Sequence, residues 1–275
     1  MSRATGPTII ITPAGTVGTW RDIWAFRELL AFTVWRDLRV RYRQTALGIA
    51  WAVIQPFTTM VVFSLFFGRL AGIQSGDVPY PVFSYAGLVP WTYLSTAVTQ
   101  GAASLVGSQH LIAKVYFPRL IVPIAAILVP LVDAAIALVL LAGIMAWYGV
   151  APGIGVVWLP VFIVVAVLTA AAASVWLAAL NVRYRDIRFV VPFAIQFWLF
   201  VTPIAYPTSL VPDRWRALYA LNPMATVVDG VRWGLTGAPP PSPAMMAASG
   251  IALVLALWTG LRYFRRTERI VADVL

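Results

Sequence analysis

The stretch "RDLRVRYRQTALGIAWAVIQPF", residues 36–57, decides how the rest of the chain is read. Arg36, Arg39, Arg41 and Arg43 crowd into eight positions, and no charged residue follows until Arg69. A run of that length without charge suits lipid, where about 20 apolar residues cross the hydrocarbon core. Arginines at its near end anchor that end on the cytoplasmic face. Gln55 and Pro56 inside the run are a polar group and a helix-bending residue at membrane depth, both of which ask for a role.

The whole composition agrees with a membrane protein. Of 275 residues, 61% are hydrophobic and 11% charged, against about 45–50% and about 25% in soluble domains. Cysteine is absent and histidine occurs once, as His110. That excludes disulfides, thiolate chemistry and a multi-histidine metal site. The formal charge of +10 would suit nucleic acid, but the arginines flank apolar runs, which fits headgroups and topology instead.

Outward from the opening stretch, residues 1–18 lack the layout of a signal peptide and read as an extended or disordered cytoplasmic arm. Residues 19–45 read as an amphipathic interface helix with its connector. Thr19 and Asp22 resemble a capping box, and Ile23, Phe26, Leu30, Val34 and Leu38 make one apolar stripe. Residues 46–275 form the membrane domain. Six spans are expected at about 49–68, 84–107, 119–148, 156–181, 189–207 and 244–264, each near the length that crosses a bilayer. The second is diluted by Thr92, Ser95, Thr96, Thr99, Gln100 and Ser104, which suits a helix buried among others. With the N-terminus in the cytoplasm, sixteen of the twenty Lys and Arg residues fall on the inner side. Arg69, Arg214, Arg216 and Arg232 stay outside. An even number of spans returns the C-terminus to the cytoplasm.

Between spans five and six, two short helices sit at or re-enter the outer leaflet. "DRWRALYAL" forms one. The other starts at Asn222-Pro223, a capping residue ahead of a proline at the first helical position. Its stripe is Met224, Val227, Val228, Val231 and Leu235, and Gly237 ends it.

No Gly-x4-Gly-Lys-Ser/Thr phosphate loop exists, so the chain does not hydrolyse ATP alone. Asp133 is the one acid well inside a span. It is either a functional group or a structural hydrogen-bond partner for a neighbouring helix or for backbone freed by Pro130. The first inner loop carries a short helix, about Gln109–Phe117, ended by Pro118. The second inner loop is the compact, basic "NVRYRDIRF". Two such loops suit a subunit that receives force from a soluble motor, and equally suit ordinary positive-inside turns. Spans one and five carry Gln55-Pro56 and Thr202-Pro203 together with many aromatic rings. Ring faces with few charges suit a path for sugars; they also suit lipid-facing belts.

Five ordered motifs carry a resemblance: "RDLRVRYRQTALGIAWAVIQPF", "LVPWTYLS", "LIAKVYFPRLIVP", "LNVRYRDIRFVVPFAIQFWLFVTPIAYP" and "LNPMATVVDGVRWGLTG". The chain resembles the membrane subunit of polysaccharide ABC exporters. These are the ABC-2-type permeases that export O-antigen, capsular polysaccharide, teichoic acid or mycobacterial-type galactan. The resemblance covers nearly everything after residue 30. It implies a bacterial inner-membrane, multi-pass, all-α permease that is not itself an enzyme and acts as a homodimer with two ABC ATPase subunits. ATP and Mg would sit on that partner, with no cofactor, metal or nucleic acid on this chain.

The resemblance further implies a coupling segment, "SQHLIAKVYFPR", with Gln109, His110, Leu111, Ile112, Lys114, Tyr116, Phe117 and Arg119, joined by Arg183 and Arg185. Its substrate would be a glycan on a polyprenyl pyrophosphate. Arg36, Arg39, Arg41 and Arg43 would stand where that pyrophosphate is admitted. The glycan channel would be lined by Trp51, Gln55, Phe57, Phe63, Phe67, Phe197, Trp198 and Tyr206. Two alternatives are an ABC-2 exporter of a small lipid or drug, and a passive channel with no nucleotide-dependent partner.

Overall fold

The computed structural model describes residues 20–43, 50–115 and 117–274, and these residues are all-helical with connecting turns. The proposed arm at 1–18, Thr19 and the connector 44–49 lie outside the described residues. The interface segment is two helices, α1 (Trp20–Ala25) and α2 (Arg27–Arg43), parted by a turn at Phe26. Ile23 is buried and Leu30, Val34 and Leu38 are half-buried, whereas Phe26 of the expected stripe is exposed.

The membrane domain continues with α3 (Ala50–Phe63), which runs on as a π-helix over Ser64–Leu70. Then come α4 (Tyr80–Gly107), the short α5 (Gln109–Lys114), α6 (Ile121–Leu128) and α7 (Pro130–Trp147). A single turn of 3₁₀ helix leads into α8 (Leu159–Arg183), and α9 (Ile187–Val201), α10 (Asp213–Ala220), α11 (Pro223–Thr236) and α12 (Pro243–Val274) follow. Among the described residues, four segments are long and apolar enough to cross a membrane: Ala50–Leu70, Ile121–Trp147, Ile154–Arg183 and Pro243–Thr267. α9 is apolar but shorter. α4 has the length, and its hydroxyls and Gln100 dilute it.

That dilution has a structural reason. α4 packs against α3, α6, α7, α8, α9 and α11, and it is the helix around which the others gather. Val82, Tyr85, Leu88, Leu94, Ala97, Val98 and Leu105 are fully or nearly buried. A helix walled by protein does not need an apolar surface for lipid. Thr92, Ser95, Thr99 and Ser104 donate to carbonyls of α4 itself, while Tyr93 donates to the Ile127 carbonyl at 3.1 Å and Asn181 of α8 to the Ala102 carbonyl at 2.9 Å. Close approach of α4 and α8 depends on Gly101, where an added Cβ would lie 2.3 Å from the Ser174 hydroxyl oxygen.

Several expected boundaries move, each for a local reason. The third span is interrupted at Val129, because Pro130 has no N–H to give the preceding turn. α9 ends at Val201 instead of running to 207. Thr202 is extended (φ −105°, ψ 139°), the conformation imposed on a residue before proline. Pro203 therefore lies beyond the helix, and the proline inside α9 is Pro192. α5 stops at Lys114, with Val115 extended, so it does not reach Phe117. α12 passes the expected end at 264 and continues to Val274. The two outer helices form as expected: Asn222 accepts from the Met224 N–H at 3.1 Å, and Gly237 closes α11 in the left-handed region (φ 70°).

Among the described residues, two buried clusters hold the bundle. The larger gathers α4, α7, α8 and α11. The smaller lies at the arginine-rich end, where Ile23 of α1 meets Leu105, Phe117, Ile121, Val175, Ala179 and Phe264. Replacing Gly101 by leucine should force α4 from α8 and destabilise the detergent-solubilised protein by roughly 1–3 kcal/mol, the cost of overpacking a filled core. Thermal melting of the purified variant beside wild type measures it.

Candidate functional site

At the arginine-rich side of the bundle, the end of α2 meets the start of α3 and the first turns of α7 around a cavity of about 220 Å³. Arg41, Tyr42, Trp51, Gln55, Thr96 and Asp133 are among the groups lining it. The Arg41 guanidinium pairs with Oδ2 of Asp133, and the Tyr42 hydroxyl donates to Oδ1 of the same carboxylate. Both oxygens of Asp133 are thereby held by the interface helix. The pair is shielded but not sealed, since the two side chains keep 31% and 17% of their surface. Burial first, then the hydrogen bond to Asp133, pushes the Tyr42 hydroxyl above the usual phenol range, so it stays a donor.

This cavity brings together three groups of expected site residues: the arginine cluster through Arg41, the aromatic path through Trp51 and Gln55, and the lone intramembrane acid. The other arginines of the cluster point elsewhere. Arg36 pairs with Asp37 at 2.8 Å, Arg39 lies over the Trp35 ring at 3.7 Å, and Arg43 is exposed.

The expected channel residues separate into two sets. Trp51, Gln55 and Phe57 on α3 and Phe197 on α9 are exposed, alongside Phe189, Phe193 and Phe200. Phe63 and Phe67 are half-buried and meet edge to face at 5.3 Å. Trp198 turns into the protein, where its indole N–H donates to Asn222 at 3.0 Å and its ring meets Trp91 edge to face. Tyr206 lies in the outer loop past α9, its hydroxyl donating to the Phe200 carbonyl at 2.8 Å.

α5 sits at the arginine-rich end. Leu111 and Ile112 pack on the smaller buried cluster, and Phe117 is buried in it. Gln109 is half-buried, and His110 and Lys114, one helical turn apart, are exposed. Arg119 is half-buried, Arg183 stands over the Tyr184 ring at 5.4 Å, and Arg185 is exposed. Tyr116 lies outside the described residues.

At the opposite end, Arg232 of α11 is 2% exposed. It is no loop charge. Its guanidinium donates to the carbonyls of Phe83 at 3.2 Å, Pro203 at 2.5 Å and Ile204 at 2.7 Å, and it lies 3.6 Å from the Phe83 ring. Tyr80 donates to the next carbonyl, Ala205, at 2.7 Å. Side chains thus answer the irregular backbone after α9, which membrane depth tolerates only under protein cover. The sequence carried a signal for this role: Arg232 is four residues after Val228 and three before Leu235, on the apolar stripe of its helix. Tyr42 carried no comparable signal.

A family model described as "ABC-2 type transporter" matches residues 28–236. The O-antigen export system permease protein RfbA of Myxococcus xanthus is 31% identical over 258 residues, covering 90% of this chain and 96% of that protein. A protein of the same name from Klebsiella pneumoniae is 25% identical, covering 73% of this chain and 77% of its own length. The polysialic acid transport protein KpsM of Escherichia coli is 21% identical over 70% of this chain and 76% of its own.

Arg232→Lys keeps the charge but loses the planar fork that serves three carbonyls. Each buried carbonyl left without a donor costs about 1–3 kcal/mol. The variant should melt well below wild type in detergent, with proteolysis opening first in the segment between α9 and α11.

Proposed function

The chain belongs to the ABC-2 type transporter family, and on that premise we propose that it is the transmembrane subunit of an exporter for a polyprenyl-pyrophosphate-linked polysaccharide. As a member of that family it is a multi-pass membrane protein and the non-catalytic component of a transporter whose ATPase is a partner chain. In this reading α4 and α9 complete six crossings, and the arginine-rich end faces the cytoplasm. Two copies pair to form the channel above two ATPase subunits.

The observation that carries the reading is the pair of unpartnered aromatic faces. α3 presents Trp51 and Phe57, and α9 presents Phe189, Phe193, Phe197 and Phe200, with Gln55 and Gln196 as interspersed amides. Of the fifteen residues of α9, Val191 alone is buried. Ring faces bind sugar C–H surfaces without fixing one hydroxyl pattern, which lets a long glycan slide. Similarity to O-antigen and polysialic acid transport proteins supports the same cargo class. α5, seated on the buried cluster shared with α1, α6, α8 and α12, is placed to pass an ATPase movement into the bundle. Arg41 and its neighbours admit the pyrophosphate, whose oxygens suit guanidinium groups.

Deleting the gene should leave lipid-linked glycan inside the cell and the surface undecorated, with export restored by the wild-type chain. Normal surface glycan in the deletion strain would contradict the reading. His110→Ala combined with Lys114→Ala should leave detergent stability unchanged, since both side chains are exposed, yet lower export several-fold together with ATP turnover of the complex.

A further inference from the structure

A cation on a cavity wall serves an anionic ligand only if its own charge can be released. Among the described residues, Arg41 is the one cation lining the 220 Å³ cavity, and Asp133 already holds it. A carboxylate and a phosphate group present the same acceptor edge to a guanidinium fork. The cavity also offers donors not yet engaged: the Gln55 amide and the Thr96 hydroxyl line it and make no side-chain hydrogen bond among the described residues.

We infer that Asp133 is a built-in stand-in for a phosphate group, and that a diphosphate headgroup binds this cavity by taking Arg41 from it. The inference rests on the reading of a pyrophosphate-linked cargo and adds the residue that regulates its admission. Exchange is feasible because Asp133 is never left bare: when Arg41 turns to the diphosphate, Tyr42 still donates to the carboxylate. Gln55 and Thr96 supply further hydrogen bonds to the incoming oxygens. The exchange also loosens α2 from α7, since it removes the charged half of their connection and leaves the Tyr42 hydrogen bond. Occupancy of the cavity is thereby felt in the interface segment, whose first helix shares the buried cluster under α5. An uncharged or singly charged lipid lacks the charge to displace Asp133, so the carboxylate acts as a filter.

The test uses the full permease–ATPase complex in nanodiscs and a fluorescent short-chain polyprenyl pyrophosphate as probe. Asp133→Asn should tighten probe binding about tenfold, the size of one charge-assisted hydrogen bond released from competition. Arg41→Gln should abolish binding. The double variant Arg41→Gln/Asp133→Asn loses both charges together, so it should melt with wild type yet still fail to bind. It carries the test if a single variant misfolds. Inorganic pyrophosphate should compete for wild type, and a failure to compete would overturn the headgroup assignment. Unchanged or weaker binding in Asp133→Asn, or recovered binding in the double variant, would reduce the pair to a strut and overturn the inference. If wild type binds the probe in this pattern but exports no polysaccharide, the cargo reading fails and the site stands. If export is normal and Asp133→Asn changes nothing, the site alone fails.

Discussion

Lipid offers no hydrogen bonds, so backbone polar groups within the bundle must be answered by protein, and polar side chains are best placed under protein cover, as on α4. Its hydroxyls and amide would be costly against acyl chains. Surrounded by α3, α6, α7, α8, α9 and α11, the Thr92, Ser95 and Ser104 hydroxyls lie under partial protein cover and donate to carbonyls of α4 itself. The same constraint explains the outer end. The chain leaves α9 at Thr202 and runs through Pro203, Ile204 and Ala205 with no helical partner for those carbonyls. Arg232 and Tyr80 supply the donors. A fully buried cation is expensive, and here three carbonyls and the Phe83 ring offset that cost by pinning α11 and the loop to the start of α4.

At the arginine-rich end the logic is similar but the seal is incomplete. Arg41 and Tyr42 hold both oxygens of Asp133, and a small polar cavity remains beside them. One end thus carries a buried, satisfied cluster and the other a partly open one beside a cavity. The interface segment is bound to the bundle along its length: Ile23, Leu29 and Leu30 join the buried cluster beneath α5, α2 packs on α6, and Arg41 and Tyr42 hold Asp133 of α7. α5 and the Arg41–Asp133 pair therefore rest on one body.

Much of the fold was legible because the strongest signals were local. Asn222-Pro223 starts α11 and Gly237 ends it, as cap chemistry dictates. The polar dilution of α4 correctly indicated a helix among helices. Ends of elements were less legible. Pro203 reads from sequence as a kink within a span, yet Thr202 becomes extended and the helix is over. Trp198 shares the aromatic run of α9, yet its ring turns inward to Asn222. Periodicity says that a ring is present, while the neighbour that takes its N–H comes from another element. The meeting of Arg41 with Asp133, some ninety positions apart in sequence, is a tertiary event that no local pattern encodes. Arg232 is the case where a pattern was available, since a charge on an apolar stripe implies a buried partner.

The central claim is that this chain offers the route across the membrane while a partner chain supplies the energy. Its most direct test is reconstitution of the purified chain with its ATPase partner in sealed proteoliposomes, with lipid-linked polysaccharide presented on the ATPase side. The account predicts that glycan becomes accessible to an enzyme on the opposite side only when ATP and both proteins are present. Transfer by this chain alone, or nucleotide hydrolysis by it without the partner, would contradict it.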